Sequence, residues 1–264
     1  MSNYTMPLTA HLGELRKRII ISLVAVTITF VIAFNYSEEI FRFIMFPLKY
    51  GLDFSARKLS FHFVPQDKLH NTKLVFLAPA EAFWMNLKVA FVAGVIVALP
   101  VIFHQLWLFI SPGLLQKEKK YVLPFILFAT ALFLAGAAFC FFIVLPFAMG
   151  FLLTYKVGDF LMPMLSVGQY VDFCLKFILA FGVIFELPIA IIFLTKMGIV
   201  TPQGLARNRK FAVLLAFIAG AILTPTPDAF NQTLMAVPII LLYEVGIWIS
   251  PIFVKKNETA ETDQ

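Results

Sequence analysis

Glu186 carries a carboxyl group about twenty residues into an apolar run, with Phe185, Leu187, Ile189 and Ile191 around it. An ionisable group at that depth costs at least about 2.5 kcal/mol to insert. It must face a cavity or a polar partner, or hold its proton. A structural hydrogen bond inside a helix bundle would meet that need as well as a working site. Four more charged residues fall at or within apolar segments. Asp172 and Lys176 are four apart and most simply form a helix pair, whereas Glu81 and Lys88 are seven apart, too distant for an automatic contact. Stabilising the second apolar run is the simplest role for that second pair.

Other chemistry is poorly supplied. His11, His62, His70 and His104 lack metal-ligand spacing, so no metal is expected. Cys140 and Cys174 lie inside apolar segments and read as packing residues rather than a disulfide, metal or redox pair. No Walker A sequence, G-x-S-x-G or H-E-x-x-H occurs. The sequence therefore argues against an enzyme and calls for no cofactor.

The elements that must position these groups are transmembrane helices. With 61% hydrophobic and 14% charged residues and a mean hydropathy of +0.89, the chain has the composition of an all-α polytopic membrane protein. Six spans are predicted, at about 19–36, 80–110, 121–155, 167–194, 211–223 and 231–250. Arg16-Lys17-Arg18 ahead of the first could mark a signal peptide, but the run is long and has no small-residue cleavage site. The third and fourth runs exceed a minimal span, and Pro100, Pro124, Pro146 and Pro188 offer places to bend.

The fifth run, Phe211 to Leu223, is the anomaly. Thirteen helical residues reach roughly 20 Å, against a hydrocarbon core of roughly 30 Å. Arg207, Arg209 and Lys210 close it on one side and Thr224-Pro-Thr-Pro-Asp228 on the other. A hairpin this short implies a thinned bilayer or a water-accessible cavity.

Lysine and arginine set the orientation. With both termini in the cytoplasm, the inner side receives twelve of them and the outer loops seven, mostly in one long loop that counts for less. The net charge of +6 follows from this bias and needs no nucleic-acid partner. In the first outer loop, Ile40, Phe41, Ile44, Met45 and Leu48 recur at helical spacing. They predict an amphipathic helix that either lies on the membrane surface or packs on the bundle. Residues 1–251 read as one domain, and the acidic tail 252–264 as disordered.

Several local sequences together resemble the TatC family. They are His11-Leu-Gly-Glu14-Leu-Arg16-Lys-Arg18, Phe109-Ile-Ser-Pro112-Gly-Leu114 with Glu118, Phe185-Glu186-Leu-Pro188, and Leu223-Thr-Pro-Thr-Pro-Asp228 with Gln232-Thr. Pro79-Ala-Glu81-Ala-Phe83 with Lys88, and Gln105-Leu-Trp107, add to the resemblance. These matches run in family order from about His11 to Pro251; the stretch from Asp53 to Lys73 fits less well and is given no function.

The resemblance implies a cup-shaped bundle of six transmembrane helices with a short fifth and sixth, in the inner membrane of a prokaryote. It implies a receptor for signal peptides carrying paired arginines, assembled in an oligomeric complex with single-span TatA-like and TatB-like partners and membrane lipid. Energy would come from the proton gradient. It assigns peptide binding to Glu14, Glu118 and Arg16, a partner-helix site to Glu186, Thr224 and Gln232, and the outer cap to Pro47 and Asp228. A planar guanidinium fork met by two carboxylate oxygens gives the first assignment a physical basis. The competing reading of each glutamate is an interfacial residue paired with Arg16, Lys117 or Lys119. The competing function is a proton-coupled small-solute transporter built on Glu186 and the charged outer ends of the second and fourth runs, although the charged positions are not paired between halves.

Overall fold

The computed structural model describes residues 8–55, 60–65, 74–110, 122–154, 164–224 and 229–253. Helix α1 spans Leu8–Asn35, beginning well before the predicted Ile19. The basic cluster is inside the helix because Glu14 and Arg18, four apart, pair along one face at 2.9 Å. Two short helices follow, α2 (Ser37–Ile44) and α3 (Phe46–Lys49). Their apolar stripe packs on the bundle: Ile44 and Leu48 are 3% and 4% exposed, and the Phe43 ring stacks on Phe141 at 4.5 Å. The Tyr170 hydroxyl donates to the Ile44 carbonyl at 2.6 Å, fixing this end of α2 to the core.

The helical bundle also carries two short strand pairs. Strands β1 (Tyr50–Ser55) and β2 (Ser60–Pro65) pair antiparallel, with Leu52 opposite Phe63 and Phe54 opposite Phe61. Apolar and polar residues alternate in both segments, the period-two signal of a strand. A two-residue strand β3 (Leu74–Val75) pairs parallel with β4 (Leu165–Ser166).

Helix α4 (Glu81–Ile110) matches the second predicted span to within a residue and continues through Pro100. It lies tightly against α1. Thr29 Oγ1 donates to the Gly94 carbonyl at 2.7 Å, and a Cβ at Gly94 would sit 2.8 Å from the Phe30 backbone. Only glycine permits that approach.

The third and fourth spans both break near a proline. Helix α5 (Val122–Phe139) passes through a π-helical turn, Cys140–Val144, into α6 (Leu145–Thr154). Pro146 has no N–H and its ring crowds the preceding turn, so the widened turn accommodates it. Helix α7 (Val167–Phe185) ends at Glu186, and α8 (Leu187–Lys196) restarts with Pro188 in its first turn. Helix α7 carries much of the core, with Tyr170, Cys174, Phe177 and Phe181 all fully buried.

After α9 (Pro202–Arg207), the fifth hydrophobic run forms α10 (Arg209–Leu223), 15 residues or roughly 22 Å long. It falls short of a roughly 30 Å hydrocarbon core. Helix α11 (Ala229–Phe253) does not share this shortness: its 25 residues reach roughly 37 Å. Pro238 is carried inside it, and the helix enters the segment predicted as tail; residues 254–264 lie outside the described set. Among the described residues, five helical segments are long and apolar enough to cross a membrane.

Replacing Gly94 by valine tests the α1–α4 contact. The obstructing atoms are backbone and cannot swing away, so overpacking should cost about 1–3 kcal/mol. Thermal unfolding in detergent should register the loss; an unchanged midpoint would show that the two helices separate freely.

Candidate functional site

One end of the bundle gathers the start of α1, the end of α4, the start of α10 and the end of α11. Glu14 Oε1 accepts from Arg18 Nη2 at 2.9 Å, and Arg18 Nη1 donates to Gln105 Oε1 on α4 at 3.4 Å. Among the described residues the glutamate's partner is therefore Arg18 rather than Arg16, which is exposed; Lys117 and Lys119 lie outside them. Helical geometry explains the choice, since i and i+4 share a face and i and i+2 do not. Arg18 Nε and Trp107 Nε1 are buried donors with no partner among the described residues. Glu118 lies outside the described residues. At the same end, Arg209 clamps Glu244 with two bonds of 2.6 and 2.9 Å, and Tyr243 Oη donates to the Leu205 carbonyl at 3.0 Å.

Glu186 occupies the α7–α8 break. Its N–H donates to the Val183 carbonyl at 3.1 Å and its carbonyl accepts from Ala190 N at 2.9 Å, so the backbone is satisfied across the kink. The side chain is half-buried, and Oε1 has no hydrogen-bond partner among the described residues. Thr224 and Gln232 do not bond to it. Gln232 Nε2 donates to the Phe217 carbonyl at 3.0 Å, and Thr224 Oγ1 to the Gly220 carbonyl at 2.8 Å. Both side chains instead satisfy carbonyls of α10, knitting it to α11 and capping its end. Pro47 is fully buried in the first turn of α3, and Asp228 lies outside the described residues.

The opposite end holds an arrangement that spacing did not reveal. Glu81, the first residue of α4, accepts from Ser166 Oγ, from Gly168 N at 2.7 Å, and from Leu77 N at 2.6 Å. One carboxylate thus caps the start of α7, where free N–H groups and the helix dipole favour negative charge, and holds the segment just ahead of α4. A Cβ at Gly168 would meet Glu81 Oε1 at 2.7 Å, so a larger residue there would have to displace the carboxylate. Lys88 Nζ contacts both Asp172 oxygens at 2.7 and 2.8 Å. This corrects the expected Asp172–Lys176 pair: α4 and α7 start side by side, and that register brings Lys88 within reach. Ser166 ahead of an apolar run signalled a helix start, but the partner across the bundle required the packing. These residues line a cleft of about 400 Å³ between α4 and α7.

The described residues form a polytopic helical membrane bundle with a short α10 and charged pairs at its two ends. The family model for Sec-independent protein translocase protein (TatC) matches residues 10–238. A TatC from Carboxydothermus hydrogenoformans is 40% identical over 98% of both chains. Another from Desulforapulum autotrophicum is 38% identical over 97% of this chain and 88% of the relative. A crystal structure of a twin-arginine translocase receptor, TatC, superposes with a TM-score of 0.77, at 38% identity, over 92% of this chain and 99% of that one. The chain belongs to the TatC family, and is a non-catalytic receptor and scaffold subunit of the Sec-independent translocase. The small-solute transporter reading finds no support in these comparisons.

Glu81→Ala should release the start of α7 and the segment ahead of α4 together. Hydrogen exchange at the Leu77 and Gly168 amides should accelerate in parallel, with Glu81→Gln intermediate. Acceleration at only one of them would mean that the two segments are held independently.

Proposed function

We propose that the Arg18 end faces the cytoplasm of a prokaryotic inner membrane and reads signal peptides bearing paired arginines. The observation that carries this reading is the Glu14 carboxylate, half-buried on α1 and already holding a guanidinium at 2.9 Å. A site whose resident partner is an arginine has the charge and fork geometry that an incoming arginine needs. Glu118, in the connection between α4 and α5, supplies the second carboxylate, and Arg16 lies on the same turn of α1. An arriving arginine competes with Arg18 for Glu14, leaving Arg18 with its bond to Gln105.

The shape proposed is a six-helix cup, with α10 as the short fifth helix. The break at Glu186 lies ten residues, roughly 15 Å, from Lys196, and Gln232 lies twelve residues, roughly 18 Å, from Glu244. These comparable depths support a shared polar layer where TatA-like or TatB-like single-span helices pack, in an oligomeric complex driven by the proton gradient. Pro47 and Asp228 shape the outer cap.

Glu14→Gln and Glu118→Gln should each weaken binding of a paired-arginine peptide by roughly tenfold, the low end for a charge-assisted hydrogen bond. Membrane insertion should be untouched. Undiminished affinity in both variants and in their combination would sink the recognition site.

Glu186→Ala should keep peptide binding while altering partner crosslinks and lowering transport. Intermembrane-helix hydrogen bonds average about 0.6 kcal/mol, so the expected effect is impairment rather than abolition. Wild-type crosslinks and wild-type transport together would reduce Glu186 to a packing residue.

A further inference from the structure

A second cleft, of about 340 Å³, runs along α4 and α7 below the Lys88–Asp172 pair. Leu87, Phe91, Val92, Leu175 and Leu179 make its walls, and Lys176 stands at its rim. Asp172 is taken by Lys88, so Lys176 is exposed and has no hydrogen-bond or ion-pair partner among the described residues. The local balance is two ammonium groups against one carboxylate. Lys88 spends two of its three donors on Asp172 and keeps the third.

We propose that this groove binds an anionic phospholipid of the leaflet at the Glu81 end, the outer leaflet in the proposed orientation. Its phosphate would lie against the Lys176 ammonium and the remaining Lys88 donor, and an acyl chain along the five apolar walls. An unpaired ammonium within an apolar helix is expensive, and its stem snorkels toward the interface to lower that cost. A phosphate drawn to the rim supplies the missing countercharge. The apolar floor excludes a soluble anion as the natural occupant, because it offers burial that only a hydrocarbon chain uses.

The test is native mass spectrometry of the intact protein released from micelles containing phosphatidylglycerol or phosphatidylcholine. The wild type should retain phosphatidylglycerol preferentially. Lys176→Gln should lower that retention about fivefold, the effect of one lysine near a charged membrane surface. Lys176→Arg should preserve it, and phosphatidylcholine retention should not change in either variant. No lipid preference in the wild type, or a preference untouched by Lys176→Gln, overturns the proposal. A photoreactive residue at position 179, activated in native membranes, should crosslink phospholipid. This arm also covers a Lys176→Gln variant that fails to insert. A crosslink to a second protein in place of lipid overturns the proposal in favour of a helical partner.

Discussion

Hydrocarbon offers no water to replace a missing backbone hydrogen bond, so a chain crossing it must satisfy its amides and carbonyls from within. Irregular backbone is tolerated where protein surrounds it. Both breaks in the middle spans obey this. The π-helical turn before Pro146 is walled by buried Cys140, Phe141 and Val144, and the Leu145 amide still reaches the Cys140 carbonyl. The Glu186 break sits between buried Ile184 and buried Pro188, with its own amide and carbonyl both paired. The prolines relocate hydrogen bonds without leaving the main chain open to lipid.

Side-chain charge follows the same constraint by another route. Glu14–Arg18 and Arg209–Glu244 gather at one end of the bundle. Glu81 and its amides sit at the other. Partly exposed surface pairs of this kind contribute little stability individually, on the order of 0–1 kcal/mol. Their value is positional: the Arg209 fork fixes α10 against α11, and Lys88–Asp172 fixes the register of α4 against α7. A carboxylate that joins the start of α7 to the segment ahead of α4 does the same for the backbone.

What the sequence disclosed reflects which forces act locally. The span positions were legible because apolar length is a local property; α4, α10 and the start of α7 fall within two residues of expectation. The beginning of α1 was not, because hydropathy stops at Arg18 while a helix held by an i,i+4 pair continues through it. The hairpin β1–β2 had a period-two signal that the stronger helical signal on either side obscured. Charged partners were the least legible. Spacing favours Asp172 with Lys176, but the helix beside α7 brings Lys88 closer, and only tertiary packing carries that information. Family motifs singled out Glu14, whereas Glu186 stood out by its depth in an apolar run alone.

The short helix and the broken helix are two expressions of one geometric problem. From Arg209, Thr224 lies fifteen residues or roughly 22 Å along the axis, where α10 stops. Gly220 brings the turn so close to α11 that a Cβ would meet the Gln232 carbonyl at 2.9 Å. Gln232 and Thr224 donate side-chain bonds to carbonyls there, and the Gly220 carbonyl also receives the Thr224 amide. Glu186, roughly 15 Å along the axis from Lys196, sets a kink and a half-buried carboxyl at the α7–α8 break. Polar groups that are costly singly cost less when they share one layer, because water or lipid headgroups admitted for one can solvate the others. In the proposed polar layer a full-length fifth helix would set hydrocarbon-facing surface beside Glu186, so on that reading the short α10 and the carboxylate at the α7–α8 break depend on each other.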